Sequence, residues 1–132
     1  MTKHFFIPLK KIPTVTHQQK KIDTRKDKPI VYEPAELANT RELFEAHLAK
    51  HAPAEPITGG VRLIVKWLFP VTGNHKSGDY KLTRPDTDNL QKLFKDCMTK
   101  VGFWKDDAIV CSECIEKFYN SVTGIWVYIE TI

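Results

Sequence analysis

Three cysteines in 132 residues are too few, and odd in number, for a closed disulfide framework, so the environment expected for this chain is a reducing one. No apolar run approaches the roughly 20 residues of a spanning helix. The longest, around Ile64 to Val71, is interrupted by Lys66 and contains Pro70. Met1 to Pro8 carries one charge and three consecutive apolar residues, Phe5-Phe6-Ile7, which is no secretory signal. Internal repeats and low-complexity tracts are absent as well. These absences lead to the expectation of a cytoplasmic domain with no membrane partner. What is present is an ordinary core inventory: 42% hydrophobic residues and 11% aromatics exclude a globally disordered chain. Two independent cores would each be marginal at this length, so residues 1–132 are expected to form a single domain.

Charge is unevenly spread. Residues 1–84 hold 15 Lys and Arg against 8 Asp and Glu, a balance of +7, whereas residues 85–132 hold 5 against 8, a balance of −3. The basic side chains are densest at Lys10, Lys11, Lys20, Lys21, Arg25, Lys26 and Lys28, with Asp23 and Asp27 the only acids among the first 28 residues. Such asymmetry fits a polyanionic partner held by one part and acidic chemistry placed in another; a solvated, solubilising loop fits it equally.

Periodicity predicts six main elements. His4–Leu9 reads as a strand, and residues 10–29, with Pro13, Pro29 and no sustained period, read as a long loop of the kind that is usually functional or mobile. Ile30-Val31-Tyr32 suits a brief paired strand. Pro34 suits the first turn of a helix reaching about Lys50, with Leu37, Phe44 and Leu48 on one stripe. Val61 to Phe69 alternates as a strand, one face wholly apolar and the other mixed. Residues 71–84 form a second basic loop, with Gly73, Gly78, Lys76, Lys81 and Arg84. A helix from Asp88 to about Val101 follows, its stripe made by Leu90, Leu93, Phe94, Cys97, Met98 and Val101, and Gly102 ends it. Strands over about Ile109–Tyr119 and Ile125–Glu130 close the chain. The order β-α-β-α-β-β describes an α/β (α+β) fold, one sheet with two helices packed on it.

The acids of the C-terminal part lie at the edges of these elements. Asp86 and Asp88 precede and cap the second helix, and Asp106 and Asp107 follow its end at the entry to the next strand. Carboxylates converging from separate elements call for a cation, and Mg²⁺ is the hard ion suited to oxygen ligands. Held with open positions, it is the apparatus of phosphodiester hydrolysis. The plainer alternative keeps Asp88 as an N-cap with Gln91 as its capping-box partner, and Asp106-Asp107 as a solvated turn. A calcium loop fits worse, because the next ligand position falls on Leu90. Lys92 lies one turn from Asp88, opposite the apolar stripe with Lys95 and Thr99. It suits either a solvated pair with Asp88 or charge stabilisation at a phosphate. Asn89 suits bracing a ligating carboxylate or sharing the cap.

The run Arg84-Pro85-Asp86-Thr87-Asp88-Asn89-Leu90-Gln91-Lys92, followed by Gly102-Phe103-Trp104-Lys105-Asp106-Asp107, resembles the RusA family of Holliday junction resolvases. The family pattern is D-x-D-N-x-x-K on a helix, then an aromatic-containing turn and D-D before a strand, and residues 84–117 carry all of it in order. The resemblance implies a small homodimer with a mixed sheet that cuts four-way DNA junctions using Mg²⁺, with Mn²⁺ as a substitute, and is commonly phage- or prophage-encoded. Carried over residue by residue, it makes Asp86, Asp88 and Asp107 the metal-binding catalytic carboxylates and Lys92 the catalytic lysine. Asp106 matches the first Asp of the pair, and Lys117 looks like a lysine found there in many members; neither receives a role. Cys111 and Cys114 belong to no family pattern. Three apart on a strand, they point to opposite faces and read as small core or edge residues rather than a metal or redox pair.

The expected activity is therefore resolution of four-way junctions by paired symmetric nicks, two equivalent sites of a C2 dimer facing two equivalent strands. The alternatives are a broader flap or fork nuclease, and a branched-DNA-binding protein without cleavage. No small-molecule substrate is implied. Phosphate contacts are assigned by charge to Lys10, Lys11, Lys20, Lys21, Arg25, Lys26, Lys76, Lys81 and Arg84. Trp67, Trp104 and Trp126 read as core or interface residues; for Trp104, beside the acidic pair, stacking on a distorted base is the alternative.

Overall fold

The computed structural model describes residues 1–14, 21–23, 30–32 and 35–132, with only the backbone of 21–23 and 30–32. The elements in chain order are β1 (Thr2–Pro8), β2 (Lys21–Asp23), β3 (Ile30–Tyr32), α1 (Ala35–Ala49), β4 (Val61–Pro70), α2 (Thr87–Lys100), β5 (Val110–Asn120) and β6 (Gly124–Thr131), with a one-turn 3₁₀ segment, Asp107–Ile109, ahead of β5. The α+β class, the two helices and the order of the main strands agree with the periodicity. Residues 10–29 are not all loop: Lys21–Asp23 pairs antiparallel with Ile30–Tyr32. Three residues are too short for a period to register, and the pairing is a cross-strand property that no local pattern announces.

The sheet is mixed, in the order β1-β6-β4-β5. β4 and β5 run parallel with α2 as the crossover, while β6 pairs antiparallel with both β4 and β1. The two last strands are thus not partners of each other; they flank β4. Pro70 ends β4 and leaves no ladder donor there. Residues 121–123 then step from β5 to β6 past that end, a distance of about two strand spacings, ~10 Å, within reach of three extended residues. β6 begins at Gly124, where a Cβ would run into the Ile7 carbonyl oxygen and the Phe6 ring.

Both helices contribute to one core with the sheet. α1 buries Leu37, Thr40, Phe44 and Leu48, and α2 buries Leu90, Gln91, Leu93, Phe94, Cys97 and Met98. They meet the alternating Val61, Leu63, Val65, Trp67 and Phe69 of β4 and Ile125, Val127 and Ile129 of β6. Phe44, Trp67 and Phe94 pack edge to face, with centroids 5.3 to 6.0 Å apart, the arrangement aromatic quadrupoles prefer. The other side of β4 and β6 is half-buried and mixed: Lys66 lies 5.2 Å from the Trp126 ring centroid, and Trp126 stacks on Tyr128.

Several local expectations are corrected. Asp86, not Asp88, is the N-cap of α2, and its side chain makes no cap hydrogen bond. Gln91 is no capping-box partner, since it is 2% exposed and accepts from the Trp67 indole at 3.4 Å. Gln91 lies next to the apolar stripe, and the sheet beneath it claims the side chain. Trp104 is a core residue, in line with its main reading, and the base-stacking alternative falls: it is 1% exposed, and its indole N–H donates to Thr99 Oγ1 at 2.8 Å. Gly102, at φ +97, allows the chain to leave α2 and turn Phe103 into the core. Cys111 and Cys114 are free and exposed on β5, an edge strand, so they are edge rather than core residues. Among the described residues no helix is long and apolar enough to cross a membrane.

Candidate active site

The exposed flank of α2 and the start of β5 enclose a cleft of about 410 Å³ lined by Asp88, Asn89, Gln91, Lys92, Lys95, Asp107, Glu113 and Ile115. The helical period explains one wall: Asp88, Gln91, Lys92 and Lys95 share a flank over two turns, about 10 Å of axis. Glu113 and Ile115, two apart on β5, form the other because alternate strand residues share a face. Asp107 reaches the cleft from the 3₁₀ turn at the entry to β5. Asp88, Lys92 and Asp107, separated by up to 19 positions in the chain, thus line a single concavity.

Asp86 is placed differently. It is exposed at the N-terminus of α2 and is not among the cleft-lining residues, and its carboxylate makes no bond to the helix amides. Asp106 acts locally. Its carboxylate accepts the Ala108 N–H at 2.8 Å and so caps the 3₁₀ turn, leaving Asp107 as the member that faces the cleft. Lys95, which shares the face of Lys92, is paired with Glu113 at 3.1 Å, whereas Lys92 is exposed. Gln91, Lys95 and Glu113 are additions to the expected constellation. The helical wheel already put Lys95 beside Lys92, but Glu113 and Gln91 depended on how β5 registers against α2.

Among the described residues no three His, Cys, Asp or Glu side chains come together as a ready-made metal cluster. The donor chemistry nonetheless fits a hard divalent cation. Mg²⁺ is commonly held by one or two carboxylates, with water and substrate phosphate completing its shell. Asp88 and Asp107 supply two hard carboxylates to one cleft, and no soft donor lines it.

Residues 71–84 lack regular structure, as expected, but are fastened along the outer edge of β5. Gly78 N donates to Tyr119 O at 2.7 Å, Tyr119 N to Asp79 O at 2.9 Å, and Lys81 N to Lys117 O at 2.9 Å. Tyr80 stacks on Phe118 and donates its hydroxyl to Glu116 at 2.8 Å, a bond that raises its pKa above the ordinary 10.0. Hydrogen bonding with Thr83, followed by the contribution of Lys81, lowers that of Tyr119. Of the basic candidates, Lys10, Lys11, Lys76 and Arg84 are exposed. Lys81 is half-buried, donating to Thr83 Oγ1 at 2.8 Å and lying about 5 Å from the Phe69 and Tyr119 ring centroids. Lys20, Arg25 and Lys26, and the side chain of Lys21, lie outside the described residues.

The family model described as "Endodeoxyribonuclease RusA" matches residues 11–130. A crossover junction endodeoxyribonuclease rusA of Lactococcus phage r1t is 34% identical over 106 residues, covering 79% of each chain. The family-model match spans both walls of the cleft, the loop that precedes α2 and the whole of the four-stranded sheet except β1 and the end of β6. This chain belongs to the RusA family of endodeoxyribonucleases.

Proposed function

We propose that the protein is a Mg²⁺-dependent endonuclease that resolves four-way DNA junctions by paired symmetric nicks, working as a homodimer. The observation that carries the reading is the shared cleft, in which Asp88 and Lys92 of α2 meet Asp107 of the neighbouring turn. The similarity to a phage crossover junction endodeoxyribonuclease supports the substrate class.

Asp88 and Asp107 would hold the cation, with Asp86 at the adjoining helix start as the third carboxylate. When bound, a divalent cation supplies Lewis acidity at a phosphoryl oxygen and favours the hydroxide form of a water. The two carboxylates would seat the cation beside Lys92, whose ammonium would meet the negative charge that builds on the phosphoryl oxygens as water adds in line. Lys95 is less suited to that role, since Glu113 already neutralises it. The exposed Lys10, Lys11, Lys76 and Arg84 would supply positive surface for the duplex arms. Two copies related by a two-fold axis would match the two equivalent strands of a junction.

The test is the purified protein with end-labelled four-way junction, fork and linear duplex, in Mg²⁺ or in EDTA. Symmetric cutting confined to the junction and lost in EDTA is expected. Retarded bands without cutting would overturn the reading in favour of a branched-DNA-binding module, and equal cutting of forks in favour of a broader nuclease.

A further inference from the structure

The Lys117 side chain leaves β5 toward the segment that leads into α2. Its Nζ donates to two main-chain carbonyls, Thr83 O and Pro85 O, each at 2.8 Å. Both carbonyls belong to the three residues that immediately precede Asp86, and the α2 amides do not use them. An ammonium carries three donors and no acceptor, so two charge-assisted bonds to neighbouring carbonyls act as a clamp rather than a chance contact. The same segment is held again at Thr83, whose hydroxyl accepts from Lys81 Nζ at 2.8 Å. Pro85 is buried, which anchors the far side. Asp86, by contrast, makes no cap hydrogen bond with its own helix. Where its carboxylate stands is therefore decided by the chain that delivers it, and that chain is tied to β5 through Lys117.

We propose that Lys117 is a positioning residue of this nuclease: by clamping the Thr83 and Pro85 carbonyls it fixes the entry to α2, and so the place of the Asp86 carboxylate relative to the Asp88–Lys92–Asp107 cleft. The inference rests on the reading of Asp86 as a site carboxylate. Lys117 touches neither cation nor phosphate; it acts through the backbone. Its effect falls on turnover rather than on DNA affinity, because misplacing a reacting group by about 1 Å can cost on the order of 100-fold in rate while the remaining binding surface is unaltered.

The experiment uses the full-length protein and the variants Lys117→Met, which keeps the apolar stem, and Lys117→Arg, which keeps a cationic multiple donor. Single-turnover junction cleavage, junction affinity in EDTA, and amide hydrogen exchange are measured on each. Lys117→Met is expected to cleave about tenfold more slowly or worse, with unchanged affinity. Exchange should be faster in peptides covering residues 77–88 but unaltered in β4 and β6. Lys117→Arg should restore both rate and protection. Wild-type cleavage together with wild-type exchange at 77–88 in Lys117→Met would overturn the clamp. So would loss of affinity and of protection throughout the sheet, which would make Lys117 merely structural. Should Lys117→Met fail to fold, Lys117→Arg with wild-type exchange at 77–88 but no recovery of rate would count against the proposal. Asp86→Asn is run in parallel: wild-type cleavage by that variant would remove Asp86 from the site, while the exchange data would still judge the clamp.

Discussion

Trp67 of β4 donates its indole N–H to Gln91 Oε1 of α2 at 3.4 Å, and this contact sets which end of the amide faces which way. Indole is a donor only, so the oxygen turns to it and Nε2 turns away. There Nε2 is buried without a hydrogen-bond partner among the described residues. Gln91 also lines the cleft with Asp88 and Asp107, so one residue joins the aromatic core to the candidate site.

The orphaned amide gives a stability prediction. Gln91→Met removes the unsatisfied Nε2 but strands the Trp67 N–H, so the two costs offset and the change should stay within about 1.5 kcal/mol. Gln91→Ala adds a cavity and should cost more, roughly 2–5 kcal/mol by analogy with other large-to-small core changes. Urea unfolding measures both. Equal losses would mean that the weak indole bond outweighs packing.

The two members of the acidic pair are placed differently: Asp106 caps the 3₁₀ turn and Asp107 lines the cleft. Asp106→Asn keeps an acceptor for the Ala108 N–H and should cleave junctions like wild type. Asp107→Asn should lose at least the roughly 10–100-fold that even outer-shell partners of a metal cost. Asp88→Asn should behave like Asp107→Asn. It should leave folding nearly intact, since Asp88 is not the cap and gives up only a first-turn charge worth about 0.3–1 kcal/mol. Lys92→Ala should fall by roughly 10²–10³-fold in single-turnover rate. Cleavage that is lost in Asp106→Asn and retained in Asp107→Asn would reverse the assignment.

Salt dependence separates the basic side chains. Lys76 and Arg84 are exposed, so replacing both with Gln should reduce the slope of log affinity against log salt by about 1.8, at about 0.9 per phosphate contact. Lys81 is committed to Thr83 and two aromatic rings, and Lys81→Gln should leave the slope nearly unchanged. Neutralising Lys20, Lys21, Arg25 and Lys26 together should flatten it by a few units on the same basis. Filter binding across a salt series reads all three.

His51 stacks on Phe5 at a centroid distance of 4.2 Å. Burial, then the charges of Lys3, Lys50 and His47, lower its pKa below the ordinary 6.5. As pH falls through 6.5 the unfolded chain takes up this proton before the folded one does. The stability owed to neutral His51 is thus complete above that pH and is lost between 6.5 and the lower folded-state value. His51→Phe keeps a ring on Phe5 and removes the step. Between about pH 7.5 and about pH 5 the melting temperature should fall further for wild type than for the variant; parallel declines would contradict the assignment.

The elements that local chemistry specifies were readable from residue order. The stripe from Leu90 to Met98 places α2 and its buried face, and the alternation from Val61 to Phe69 places β4, because period and burial are properties of a single segment. The D-x-D-N-x-x-K and D-D motifs pointed to the family for the same reason. Residue order left open whether Asp88 and Asp107 share a cleft. That followed from the parallel pairing of β5 with β4 across α2, a contact between distant segments. Only the tertiary structure put Gln91 in the cleft lining, paired Glu113 with Lys95, separated Asp106 from Asp107 in place and set Lys117 on the carbonyls before Asp86. Each of these depends on register and crossover geometry, and a residue's neighbours in space are not written in its neighbours along the chain.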